Sequence, residues 1–184
     1  GASGIIGSKI AEGLLEAGAC VALFDINEAA VMAQARSLEA KYPEKVLPVV
    51  CDVVRGESVQ SAIATVEKRW NQIHVLFNNA AGKSSDLNKF FAPFEDYDMQ
   101  TWREIMSVNV EGMVHMAQAV GKHMVKNKIP GSIIQTASIY GVMAPDQRIY
   151  EGSEYLGRPI NTPAVYSASK GAVVALTRHL ATYW

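Results

Sequence analysis

GASGIIGSKIAEGLLEAGACVALFDIN, residues Gly1–Asn27, sets a glycine turn before a helix and that helix before an apolar strand. Gly1, Gly4 and Gly7 form G-x-x-G-x-x-G at the start of a helix read from about Ile5 to Ala17. Glycine there lets the backbone approach a pyrophosphate, while unpaired amides and the helix dipole attract anions. The same glycines would also serve a tight turn that only packs helix on sheet. Asp25 weighs between the two readings. It closes the strand V-A-L-F-D, where a carboxylate can accept hydrogen bonds from an adenosine ribose and repel a 2′-phosphate. On that reading the ligand is NAD, with NADP disfavoured. As a helix N-cap Asp25 would be structural only, although Asn27 can do that job instead.

Outward from this unit, strand-like runs alternate with helical patterns. A helix from Glu28 to Lys41 leads to a strand from Val46 to Cys51, and a helix from Ser58 to Trp70 to a strand from Ile73 to Phe77. A long helix follows near Met99 to Lys126, then a strand from Ser132 to Thr136 and a last helix carrying Tyr166. The alternation predicts an α/β fold, a Rossmann-type doubly wound parallel sheet with helices on both faces. Ligands bind such sheets at the carboxyl ends of the strands, so the loops after Phe24, Cys51, Phe77 and Thr136 are expected to face one crevice. The chain opens on a turn that should follow a strand, and the usual order puts that strand between those ending at Phe24 and Phe77. The expectation is a sheet with a gap there and a single nucleotide-binding domain over 1–184, incomplete at both ends, part of a longer protein. Gly141 to Pro163 reads as an inserted polar loop.

Composition excludes several classes. With 49% apolar and 19% charged residues, the chain has enough apolar sequence for a packed core. A net charge of -1 and a pI near 6.5, with no run of Lys or Arg, argue against nucleic acid or an anionic membrane surface as partner. No apolar run approaches the roughly 18 residues of a membrane span, and the first residues, G-A-S-G-I-I-G, do not read as a charged signal-peptide start. A cytoplasmic enzyme with a small-molecule substrate is expected. Cys20 and Cys51 sit in strand-like runs and read as buried free thiols. His74, His115, His123 and His179 lack metal-ligand spacing, so no metal is expected.

Y-S-A-S-K, Tyr166 to Lys170, puts a phenol and an ammonium one helical turn apart on one face. A phenol titrates near pH 10, so proton transfer at neutral pH asks for about 4 kcal/mol of help. A unit charge at about 4 Å supplies about 1 kcal/mol in water but about 4 kcal/mol at an effective dielectric near 20. The pair therefore matters only in a closed pocket.

The motifs also occur in a telling order: the glycine turn, Asp25, C-D-V at Cys51 to Val53, N-N-A-A-G at Asn78 to Gly82, V-N-V-E-G at Val108 to Gly112, T-A-S-I-Y-G, and Y-S-A-S-K. In this order they resemble the short-chain dehydrogenase/reductase family over nearly the whole chain. The resemblance implies a catalytic set of Asn109, Ser138, Tyr166 and Lys170. Ser138 would hold the substrate oxygen, Tyr166 exchange its proton, Lys170 bind the nicotinamide ribose and support the phenol, and Asn109 hold a water linking Lys170 to solvent. It implies cofactor contacts at Gly1, Ser3, Gly4, Ile5, Ile6, Asp25, Ile26, Cys51, Asp52, Val53, Asn79, Ala80, Ala81, Tyr166 and Lys170. It also implies a homo-oligomer, tetramer or dimer, packed through the helices near Met99 to Lys126 and Ala164 to Tyr183.

Two departures from the ordinary pattern stand out. Ile5 lies where ordinary members carry their second glycine, and Ser138 and Tyr166 are 28 positions apart, a longer spacing than usual. Both are similar to extended, sugar-nucleotide-modifying members, whereas N-N-A-A-G and V-N-V-E-G match the ordinary ones, which interconvert alcohols and ketones. The polar segments Lys83 to Lys89 and Asp146 to Asn161, with Arg148, Glu151, Glu154 and Arg158, suit a sugar, sugar acid or other polyhydroxylated substrate better than a steroid or acyl chain. The stretch from Ala137 to Pro145 is similar to sugar-modifying members of flagellin-glycosylation and nonulosonic-acid pathways and, next, to gluconate-type dehydrogenases. The resulting expectation is an NAD-dependent oxidoreductase on such a substrate. A nucleotide-sugar epimerase or dehydratase and a non-catalytic NAD-binding protein are the alternatives.

Overall fold

A computed structural model describes all residues, 1–184. In chain order the elements are α1 (Ile5–Glu16), β1 (Val21–Asp25), α2 (Glu28–Glu39), β2 (Val46–Val50), α3 (Gly56–Trp70) and β3 (Val75–Asn78). They continue with α4 (Leu87–Phe90), α5 (Met99–Met106), a π-helical segment (Ser107–Glu111), α6 (Gly112–Asn127), β4 (Ser132–Gln135) and α7 (Ala164–Tyr183). The chain divides into two compact units, one of 1–80 with 112–134 and one of 81–111 with 135–184. No helix is long and apolar enough to cross a membrane.

In the first unit, α1 buries Gly7, Ala11 and Leu15 at helical spacing, and α2 buries Val31, Ala35 and Leu38. Ala11, Leu15, Val31, Ala35 and Leu38 form one core cluster with Leu23 of β1 and Val46 of β2. A second cluster joins Val49 of β2 and Cys51 just past it to Val59, Ile63, Leu76, Met116 and Val120 from α3, β3 and α6. β1 and β2 pair in parallel from Val21↔Val46 to Asp25↔Val50. β3 pairs with β4, and nothing joins the two ladders. The sheet is thus interrupted between β1 and β3, where the sequence pattern predicts a gap. A cavity of about 560 Å³ lies there, walled by Val21–Phe24 on one side and Val75–Asn78 on the other.

Cys51 is buried as expected, and burial pushes its thiol above the ordinary cysteine range. Cys20, expected to be buried, is exposed. The strand begins one residue later, at Val21, so Cys20 belongs to the loop after α1 and is among the residues lining the cavity.

The second unit is built around Phe90, Ile105 and Val165, with Phe91, Tyr97, Trp102 and Met106 against them. α7 and the short 3-10 turn Ile139–Gly141 meet backbone to backbone. A Cβ on Gly141 would lie 2.6 Å from the Lys170 carbonyl oxygen, so only glycine fits. The segment read as an inserted loop has structure of its own. Tyr155 and Arg158 exchange backbone hydrogen bonds of 2.9 and 3.3 Å, and Glu154 and Pro159 form an antiparallel bridge. The two residues between, Leu156 and Gly157, have φ of 53° and 72°. Two central residues at positive φ make a type I′ turn, which matches the twist of a hairpin.

Leu156 is a poor residue for that position. It is 74% exposed, so packing does not compensate its left-handed backbone. Leu156→Asn is expected to raise unfolding free energy by about 0.5–1 kcal/mol, because asparagine tolerates this region. Urea unfolding of the two proteins checks it.

Candidate functional site

In the first unit, the glycine turn and the end of β1 hold each other. Ser3 N–H donates to Asp25 Oδ2 at 2.9 Å and Asn27 N–H to Oδ1 at 3.0 Å. Asp25 is 8% exposed. Burial alone would push its carboxyl up. The two backbone amides oppose that, and the carboxyl is held below the ordinary aspartate value. The capping alternative falls to its neighbour, since Asn27 Oδ1 accepts from Ala30 N–H at the start of α2. Gly7 is as constrained as Gly141, for a Cβ there would lie 2.1 Å from the Gly1 carbonyl oxygen. Gly4 caps α1 without a side chain. Ser3 Oγ is buried without a hydrogen-bond partner.

Beside this turn, Ile5, Ile6 and Ile26 are exposed by 91%, 59% and 67%. Cys51 N–H donates to the Asp25 carbonyl at 2.9 Å, which seats Asp52 and Val53 just past β2. Asp52 Oδ1 accepts from Val54 N–H at 3.1 Å, and its own N–H donates to Ser58 Oγ at 3.0 Å. His115 on α6 lies 2.9 Å through Nδ1 from the Val53 carbonyl. Asn79 Nδ2 donates to the Gly1 carbonyl at 3.4 Å, and the position of a Gly1 Cβ would be 2.9 Å from Ala80 Cα. Gly1, Ser3, Asp25, Asn79 and Ala80 thus gather at one end of β1. Ala81 belongs to the second unit, where it is exposed.

In the second unit, Tyr166 and Lys170 lie one turn apart near the start of α7, as their spacing predicts. Lys170 is 3% exposed, and its Nζ donates to the Thr136 carbonyl at 2.7 Å. Burial lowers its affinity for the proton below that of ordinary lysine. The ammonium stands 5.9 Å from the centroid of the Tyr166 ring. Ser138 begins the 3-10 turn that packs on α7, and its Oγ accepts from Tyr140 N–H at 3.2 Å, which leaves the hydroxyl proton to donate. Asn109 is fully buried in the π-helical segment. Its Oδ1 accepts from Gly82 N–H at 2.8 Å and its Nδ2 donates to Ser169 Oγ at 3.1 Å. Ser169 Oγ donates in turn to the Tyr166 carbonyl at 2.8 Å.

Several participants carry no local signal in the sequence. Ser169, completely buried, reads as filler between Tyr166 and Lys170 until Asn109, 60 positions away, is seen bonded to it. Tyr150 stands 2.6 Å from Thr162 Oγ1 and 3.4 Å from the Tyr140 hydroxyl, which ties the inserted segment together. The hydrogen bond to Tyr150, followed by burial, raises the Tyr140 hydroxyl above the ordinary tyrosine range.

The sequence motifs and the geometry meet in the comparisons with known proteins. The chain is 32% identical over 184 residues to a gluconate 5-dehydrogenase of Gluconobacter oxydans (strain 621H), covering all of this chain and 63% of that protein. Its fold superposes on an NAD⁺-bound xylitol dehydrogenase with a TM-score of 0.82 and 32% identity, over 98% of this chain and 61% of that one. It superposes equally, at 0.82 and 31% identity, on a gluconate 5-dehydrogenase from Burkholderia cenocepacia J2315 in complex with NADP and tartrate, over 100% and 63%. The chain therefore spans less than two thirds of these relatives. A family description, short chain dehydrogenase, matches residues 1–184 from end to end, and the chain belongs to that family.

Proposed function

We propose that this chain carries the nucleotide-binding and proton-transfer residues of an NAD-dependent oxidoreductase that interconverts a secondary alcohol and a ketone on a sugar, sugar acid or polyol. The observation that carries the reading is the buried Lys170 ammonium beside Tyr166, a charge with no carboxylate to neutralise it. The similarity to gluconate and xylitol dehydrogenases supports the substrate class.

The first unit fits the phosphates and ribose of a dinucleotide. Its helix start bears no side-chain cap, Gly7 admits no Cβ, and the buried Ser3 hydroxyl has no partner within the protein. Asp25, kept ionised by two amides, suits ribose hydroxyls and repels a phosphate at the 2′ position, which favours NAD. Ile5, Ile6, Ile26, Asp52, Val53, Asn79 and Ala80 are the further contacts proposed for this ligand.

When bound, a nicotinamide accepts or returns the hydride. The protein's own part is the proton. Ser138 donates its hydroxyl hydrogen to the substrate oxygen, and Tyr166 takes the proton from that oxygen as the alcohol is oxidised. Lys170 stabilises the phenolate form of Tyr166, the form that accepts the proton, and donates to the nicotinamide ribose. Its desolvation strengthens the first effect, because the same charge acts through a lower dielectric. Asn109 has both ends of its amide engaged, so its proposed part is to brace Gly82 and Ser169 around this pair.

Tyr166→Phe is expected to lower turnover by about 10²–10⁴-fold while NAD binding persists. Absorbance at 340 nm with a polyol substrate, together with calorimetric titration of NAD, separates the two. Asp25→Ala should move the ratio of NAD to NADP turnover toward NADP by tenfold or more, on the order of 1.4 kcal/mol, read in the same assay.

Asp25 also makes a pH prediction. Its folded-state pKa lies below the ordinary 3.8, so its contribution to stability is present above that value and fades as the pH falls through the folded pKa. Asp25→Asn should therefore cost about 2 kcal/mol at neutral pH, the scale of hydrogen bonds to a charged group. Denaturant unfolding of both proteins should show the difference narrowing below pH 3.8.

A further inference from the structure

The second unit contains a cation and a hydroxyl that neither the family motifs nor the proposed reaction uses. Lys83 Nζ donates to the Tyr155 hydroxyl at 3.2 Å and stands 4.7 Å from the centre of the same ring. The two residues are 72 positions apart, and the hairpin turn at Leu156 and Gly157 brings Tyr155 to that place.

Arg148, in the inserted segment, is already engaged. Arg148 Nε and Nη2 meet both carboxylate oxygens of Asp146, at 2.6 to 3.1 Å. Lys83 has no such partner, since none of the five ion pairs in the molecule includes it. It is held by a neutral hydroxyl and an aromatic face, both of which position an ammonium without cancelling its charge. Donors remain as well. Two of the three ammonium hydrogens are uncommitted, and the Tyr155 oxygen, accepting from Lys83, keeps its own hydrogen to give. Both donors can therefore converge on one anionic group.

Lys83 is also tied to the proposed reaction centre through its neighbour. Gly82 N–H is fixed by Asn109, and Asn109 is fixed to Ser169, between Tyr166 and Lys170. The ammonium thus extends from the residue that follows the braced one.

We propose that Lys83 and Tyr155 form an anion-reading pair that selects polyhydroxylated substrates bearing a terminal carboxylate or phosphate over their neutral counterparts. This rests on the oxidoreductase reading above and adds the charge of the substrate to it. Lys83 supplies the charge. Tyr155 is a positioning residue that also contributes one donor.

The test compares D-gluconate, sorbitol 6-phosphate and neutral sorbitol as substrates of the full-length protein with NAD. Lys83→Met is expected to lower the preference in kcat/KM for the anionic substrate over sorbitol by about tenfold, mainly through KM, with Lys83→Arg recovering part of it. Tyr155→Phe should lower it by a smaller factor in the same direction. Which of the two anions shows the effect identifies carboxylate or phosphate as the group that is read. A preference that Lys83→Met leaves intact overturns the pair, as does a wild-type protein that oxidises sorbitol as well as either anion. Calorimetric titration of gluconate and sorbitol 6-phosphate into the NAD-loaded protein provides the second readout. If no substrate is oxidised, the oxidoreductase reading fails. The pair then stands if an anion binds and Lys83→Met weakens that binding, and falls if no anion binds.

Discussion

A lysine ammonium that is 3% exposed and faces a carbonyl oxygen rather than a carboxylate is an expensive thing to build, and much of the second unit is arranged around it. Thr136, just past β4, must present its carbonyl to Lys170 Nζ. Gly141 must lie against the Lys170 backbone with no Cβ between them. Ser169 and Asn109 must hold the first turn of α7 from the other direction. None of these residues could drift without leaving the charge less well satisfied. A hydrophobic residue in place of Lys170 would remove that cost, so the arrangement has a functional rather than a stabilising logic.

The π-helical segment follows from the same constraint. An ordinary helix from α5 into α6 would keep each amide on the carbonyl four residues back, with side chains at fixed angular steps. The extra residue in one turn re-aims Asn109, so that its two ends reach Gly82 and Ser169 while the flanking helix continues. The local irregularity is therefore the means by which a residue on one helix clamps a loop and a second helix.

How much of this could be read from the sequence depended on the range of each interaction. The alternation of helices and strands, the cap at Asn27 and the one-turn spacing of Tyr166 and Lys170 are local, and they were legible. The gap between β1 and β3 was legible too, because strand order in such sheets is nearly fixed. What could not be read depends on residues far apart or on backbone states the side chains do not announce. Leu156 disguises the hairpin, since an asparagine or glycine there would have signalled the turn. Cys20 missed burial by one position at a strand boundary. Ser169 and Tyr155 acquire meaning only through partners 60 and 72 positions away.

Charge in the inserted segment shows why composition alone misleads about substrate recognition. A count of Lys and Arg would rank Arg148 with Lys83 as a candidate for an anion, and arginine is the better carboxylate binder in general. The local sequence decides otherwise. Asp146, two residues before Arg148, is within reach of its guanidinium and also accepts from its backbone amide, so the pair forms one closed unit on the surface. Lys83 lies among Gly82, Ser84 and Ser85 with no acid beside it, and the partner brought to it by the hairpin is a neutral ring. A cation is available to a ligand when the fold positions it without neutralising it, and that condition separates Lys83 from Arg148.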